Sequence, residues 1–155
     1  MKIYLLPLSQ LVLGVKKFTM PKIYVHDFSF DYIELENRIN EDDFFCTVRV
    51  YFNFSPDDPG DGWDNLEYFF VSVATPFGFA KYLKRCIDKG LYPKKLFFTN
   101  LIIVDNNNED EIMNFIKSEL QSIYGKTEKE LILKAIRKFG WESETIPEVY
   151  DKLFK

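Results

Sequence analysis

The chain has one histidine, His26, and two cysteines, Cys46 and Cys86, and that scarcity removes most metal and nucleophile chemistry at once. No group of cysteine, histidine and carboxylate residues has zinc-ligand spacing. No serine stands in a nucleophile elbow, and none of the 7 glycines belongs to a phosphate-cradling loop. A surplus of basic residues is missing too. The formal net charge is -4, whereas a protein whose main work is binding nucleic acid carries a basic surface. The N-terminal apolar run MKIYLLPLSQLVLGV is too short to cross a bilayer. It is interrupted by Pro7, Ser9 and Gln10, and Lys16, Lys17 and Phe18 follow it where a secretory signal would have small residues. Both cysteines sit among apolar neighbours, so they read as buried thiols rather than as a disulfide or reactive pair, which suits the cytoplasm.

What is present is the composition of one globular domain: 155 residues, 46% hydrophobic and 28% charged. Residues 1–19 read either as an extra strand or short helix packed on the domain or, since MPKIYVHDF already forms an opening strand, as an extension upstream of a natural start at Met20. Residues 20–155 then make a single domain. Its clearest element is FFCTVRVYFNF, where Phe44, Cys46, Val48, Val50, Phe52 and Phe54 alternate with Phe45, Thr47, Arg49, Tyr51 and Asn53. That period of two is the mark of a strand with one face buried. The loop SPDDPGDGWDN reverses the chain, and LEYFFVSVATP returns it with Phe69, Val71 and Val73 toward the same core. The two runs form a long β-hairpin with an acidic tip.

Before the hairpin, the sequence marks one short strand over 22–26 and no clear periodicity after it. Beyond the hairpin, Thr75-Pro76 is a helix start, with Phe77, Ala80, Leu83 and Ile87 as its apolar stripe and Gly90 as its stop. LFFTNLIIV is apolar enough to predict an inner strand of the sheet. DNNNEDE fails the EF-hand pattern, because Asp110 stands at the turn-glycine position and Phe115 and Ile116 occupy the far end. It reads instead as a helix cap, with Asn108 as N-cap and Glu111 completing the box. Ile112, Phe115, Ile116, Leu120 and Ile123 form the following stripe, and Thr127 and Glu130 open another helix carrying Leu131, Ile132, Ala135, Ile136 and Phe139, with Gly140 at its end. The tail adds an amphipathic turn through Val149, Leu153 and Phe154. The predicted class is α+β: a mainly antiparallel sheet built on a long hairpin, with about three helices packed on it.

Charge is unevenly spread. Residues 27–67 hold twelve acids and two arginines, Arg38 and Arg49, while lysines gather at the N-terminus and over 81–95. This is either a polarised surface that attracts a basic partner or a pair of solvated faces that aid solubility. Asp57, Asp58, Asp61 and Asp64 supply enough carboxylates for a metal or a two-carboxylate hydrolase, but Pro59, Gly60 and Gly62 make the same loop an ordinary turn. His26 and Asp27 are neighbours in a strand and point to opposite faces, a poor acid-base pair. Trp63 in the acidic tip either folds back over the end of the core or waits for a partner, and tryptophan is enriched among interface anchors. The pattern implies no enzyme, metal or cofactor. It points to a binding surface made by Asp42, Asp43, Asp57, Asp58, Asp61, Trp63 and Asp64.

One order of features goes further. Asp31, Glu34, Leu35, Glu36, Asp42, Asp43 and Phe44 form an acidic lead-in, followed by the strand, the glycine-containing acidic turn and a second strand closing in Thr75-Pro76. Then come a strand ending LIIVD, the helix pair and Trp141-Glu142. In this order and spacing, residues 22–144 resemble the bacterial immunity protein 8 family. Two features depart from it: Phe77-Gly78-Phe79 stands where members often carry Trp-Leu, and residues 1–19 have no counterpart. The resemblance implies a cytoplasmic antidote that neutralises the cognate toxin domain of a polymorphic or contact-dependent system by stoichiometric occlusion. The toxin would be a basic protein such as a nuclease. The alternatives are a small metal- or ligand-binding enzyme using the Asp-rich loop, and a protein-binding adaptor. If Trp63 is an anchor, Trp63→Ala costs about 2 kcal/mol or more of toxin affinity by titration calorimetry. Unchanged affinity with the fold intact removes it from the surface.

Overall fold

A computed structural model describes residues 19–60, 65–91 and 99–145. The chain is α+β, as its patterning predicts. Strands β1 (Tyr24–Tyr32), β2 (Phe45–Asn53), β3 (Glu67–Ala74), β4 (Leu101–Ile103) and β5 (Gly140–Trp141) form one sheet, joined by helices α1 (Pro76–Asp88), α2 (Glu109–Gln121) and α3 (Glu128–Ala135). The order across the sheet is β1-β2-β3-β4, with β5 paired to the other half of β3. Among the described residues all pairings are antiparallel except β3–β4, which is parallel.

The hairpin carries the core as its period of two requires. Cys46, Val48, Val50 and Phe52 on β2, and Phe69, Val71 and Val73 on β3, are all buried. They pair across the strands as Cys46 with Val73, Val48 with Val71 and Val50 with Phe69. Phe52 and Phe69 stack with ring centroids 4.2 Å apart. Against this face lie Ile112, Ile116 and Leu120 of α2 and Leu131, Ile132 and Ala135 of α3, with Phe139 and Trp141. The side chains of Asn108 and Thr127 cap the two helices as read from sequence, accepting from the amides of Glu111 and Glu130. Both cysteines are buried and free. Burial, and then the charges of Glu109 and Asp31, push the Cys46 thiol up to about 12, so it behaves as a small apolar filler.

Four expectations are corrected. The first strand runs on to Tyr32, because a bulge lies between Val25 and Asp27. Ile23 and Val25 are the inward residues before it, and Phe28 and Phe30 after it, so the extra residue shifts the inward set from odd to even positions. A strict period-two reading loses the strand at that point. His26, at the bulge, lies 2.8 Å through Nε2 from Asn53 Oδ1. The second correction concerns α1. Ala80 and Ile87 face solvent, and the covered side is Gly78, Phe79, Tyr82 and Cys86. Phe45, on the sheet face opposite the main core, decides this: its ring stacks on Tyr82 at 3.8 Å and on Phe79 at 6.5 Å. Third, LIIV lies at the edge of the described sheet rather than inside it. Its apolar residues serve a short parallel strand whose Ile103 remains half exposed. Fourth, Gly140 is not a helix stop but a strand residue paired with Phe70, and a Cβ there would lie 2.1 Å from the Phe70 ring. The expected tail turn through Val149, Leu153 and Phe154 lies outside the described residues, as do residues 1–18.

The approach of α1 to β2 depends on one missing side chain. A Cβ on Gly78 would sit 1.9 Å from the Phe44 carbonyl oxygen. Gly→Ala inside a helix ordinarily adds about 1 kcal/mol of stability. Here Gly78→Ala should instead cost about 1–3 kcal/mol, because the helix must lift off the strand. Urea unfolding reads the sign directly, and a variant as stable as the parent or more so would show that this contact is not tight.

Candidate partner-binding surface

The lead-in loop, residues 33–44, is fixed from below. Asp43 is 8% exposed. Its Oδ2 accepts from the Asn40 amide at 3.0 Å and its Oδ1 from the Thr75 hydroxyl at 3.2 Å. The Asp43 amide in turn donates to the Asn40 carbonyl at 3.0 Å. Asp43 therefore holds the loop to the start of α1, a buried positioning role where the sequence suggests an exposed carboxylate. Its neighbour Asp42 is exposed, as is Ile39.

Asp42 faces residues that the sequence reading used only as a helix cap. With Asn106, Asn107, Asn108, Glu109 and Asp110 it lines an open hollow of about 710 Å³. Two segments far apart in the chain thus contribute to one acidic surface. The pin between sheet and helix is Tyr32, the last residue of β1. Its hydroxyl lies 2.6 Å from Glu109 Oε1 and 2.8 Å from Asn107 Oδ1. Burial first, and then the hydrogen bond and charge of Glu109, raise the Tyr32 pKa, so the phenol stays a donor. The DNNN turn is locally braced as well: the Asn108 amide donates to Asn106 Oδ1 at 3.0 Å. Glu109, Asp110 and Glu111 occupy the first turn of α2, where the helix dipole favours carboxylates.

The hairpin tip lies elsewhere. Asp42 precedes β2 and Asp57 follows it, and at about 3.3 Å per residue the ends of that strand lie roughly 26 Å apart. The lead-in and the described part of the tip therefore lie beyond opposite ends of β2. At the tip, the Gly60 amide donates to Asp58 Oδ1 at 2.9 Å, and the Asp57 amide to Ser55 Oγ at 3.2 Å. Both carboxylates are exposed turn residues. Asp61, Trp63 and Asp64 lie outside the described residues.

Positive charge collects on another face. Lys81, Lys84, Arg85 and Lys89 of the α1 region line a cleft of about 380 Å³ with Leu35 and Glu36. Among the described residues, no three histidine, cysteine or carboxylate side chains come close enough to hold a metal ion, and no helix is long and apolar enough to cross a membrane.

The sequence could not pair Asp42 with Asn106–Asp110, because nothing local links them. Tyr32, an aromatic residue ending an acidic strand, was the one signal, and it reads equally as core. No protein-family model, curated protein or solved structure matches the chain.

The buried role of Asp43 has a direct check. Asp43→Ala leaves the Asn40 amide and the Thr75 hydroxyl without their acceptor, which should cost about 1–3 kcal/mol of stability in urea unfolding. Asp42→Ala, at the exposed neighbour, should change stability by less than about 0.5 kcal/mol. Equal effects would place both residues at the surface.

Proposed function

We propose that this protein is a stoichiometric inhibitor that binds a basic protein partner, in the manner of a toxin immunity protein. The observation that carries the proposal is the acidic hollow, in which Asp42 meets Asn107, Glu109 and Asp110 on a scaffold pinned by Tyr32. Fixed carboxylates that face water cost little to the free protein and attract a cationic surface over a distance of about a Debye length. Bound there, the inhibitor blocks by covering its partner and needs no turnover. The motif order shared with the immunity protein 8 family supports the same reading and makes the partner the cognate toxin domain, a basic nuclease being the chemical type that fits. The cytoplasm is where such an antidote would act.

Co-expression with the product of the adjacent upstream gene, followed by pull-down and growth rescue, tests the function. A one-to-one complex and rescued growth are expected; a toxic product that neither binds nor is neutralised would overturn the proposal. Within such a complex, Asp42→Lys with Asp110→Lys should slow association about tenfold and flatten its salt dependence, with a smaller change in dissociation. Association rates that ignore both the substitutions and salt would remove the hollow from the encounter.

A further inference from the structure

Beside the acidic hollow runs an apolar groove of about 360 Å³ between the outer side of β4 and the first turns of α2. Asn106 and Asn108 line both, so the two adjoin. The groove walls are Ile103 and Phe115, and buried Ile112 lies in its floor. Ile103 is 49% exposed and Phe115 50% exposed, although Phe115 belongs by spacing to the apolar stripe of its helix. Two large, half-exposed apolar side chains thus line one groove together with the carboxylates of Asp105 and Glu111.

We propose that this groove receives a large apolar side chain from a basic segment of the protein partner, whose cationic residues lie in the acidic hollow. The inference rests on the reading of the protein as a partner-binding inhibitor and assigns that partner's point of entry. An apolar centre with a charged rim is the anatomy of a protein interface, in which a central anchor carries most of the affinity. The charge selects the occupant. Among the described residues lining groove and hollow there are five carboxylates, Asp42, Asp105, Glu109, Asp110 and Glu111, and no lysine or arginine. A second copy of this chain docking through the same surface would bring the same negative rim against itself. An anionic lipid surface or a nucleic acid would be repelled in the same way. A cationic polypeptide with an apolar residue satisfies both parts.

The test uses methyl-labelled protein and three short synthetic peptides followed by NMR: one of lysine and leucine, one of lysine and glutamine, and one of glutamate and leucine. The lysine-leucine peptide should shift the methyl signals of Ile102, Ile103 and Ile112. Its affinity should fall about tenfold in a variant carrying Ile103→Ser and Phe115→Ser. The lysine-glutamine peptide should bind more weakly, and the glutamate-leucine peptide should leave these methyls unmoved. Shifts centred elsewhere, undiminished affinity in the double variant, or concentration-dependent self-association that broadens Ile103 would each overturn the groove assignment. Both substitutions are at half-exposed positions, and unchanged unfolding in urea confirms that the fold is kept. The double variant should also lose protection in the co-expression assay. If it protects as well as the parent, the groove is wrong and the inhibitor reading stands. If the upstream product is not neutralised by the parent while the lysine-leucine peptide still maps to the groove, the inhibitor reading fails and the surface stands.

Discussion

Three hydrogen bonds meet at the Thr75 hydroxyl, and the rest of the architecture is referred to that point. The oxygen accepts from the Gly78 amide at 3.1 Å, capping α1, and from the Phe44 amide at 3.2 Å, while its proton goes to Asp43. The Thr75 amide donates to the Phe44 carbonyl at 3.2 Å, the same oxygen that leaves no room for a side chain on Gly78. The end of β3, the entry to β2 and the beginning of α1 are therefore fixed within one buried knot. In a low-dielectric interior such a network is stable only when every member has its partner, and no buried side-chain polar atom among the described residues lacks one. Through Asp43 the knot also sets where the lead-in loop leaves the sheet, and so where Asp42 stands.

What the sequence disclosed, and what it hid, divides along a physical line. The hairpin was legible because alternation over nine residues of β2 is a local signal that survives any tertiary context. The caps at Thr75, Asn108 and Thr127 were legible for the same reason, since each bonds to an amide three residues on. The second half of β1 was hidden by a one-residue bulge that changes the phase of the inward set. The face of α1 was misread because the stripe of Phe77, Ala80, Leu83 and Ile87 competes with a stripe fixed by contacts to Phe45, a residue many positions away. Apolarity in LIIV does not distinguish an inner strand from an edge strand beside an open groove. The acidic surface was half legible. Asp42 was marked by composition, but its partners in space, Asn107, Glu109 and Asp110, were explained fully by helix capping and gave no reason to look further.

That overlap is informative about the electrostatics. At the start of α2, three carboxylates favoured by the helix dipole also face the solvent that a partner would approach. The charge that helps the helix form is the charge that would steer association, so neither role opposes the other. Tyr32 adds a neutral donor at the seam, satisfying Glu109 without cancelling its charge. On the far side of the sheet core, the lysines of the α1 region give the molecule a cationic face separate from the hollow. A charged partner would meet a field that orients the protein before contact.

The parallel pairing of β4 with β3 carries an entropic cost. β4 reaches its place beside β3 only after the chain has passed through α1, so Ser72 pairs with Leu101 across a long loop. Parallel pairing needs such a crossover, and closing it costs chain entropy before its contacts form. The hairpin pairs residues close in sequence, whereas placing β4 and the turn after it carries that larger closure cost. The groove and the hollow both belong to this later part of the molecule. A chain with its hairpin formed but β4 unpaired would lack the walls of both the groove and the hollow, so any binding through them would be confined to chains that have finished folding.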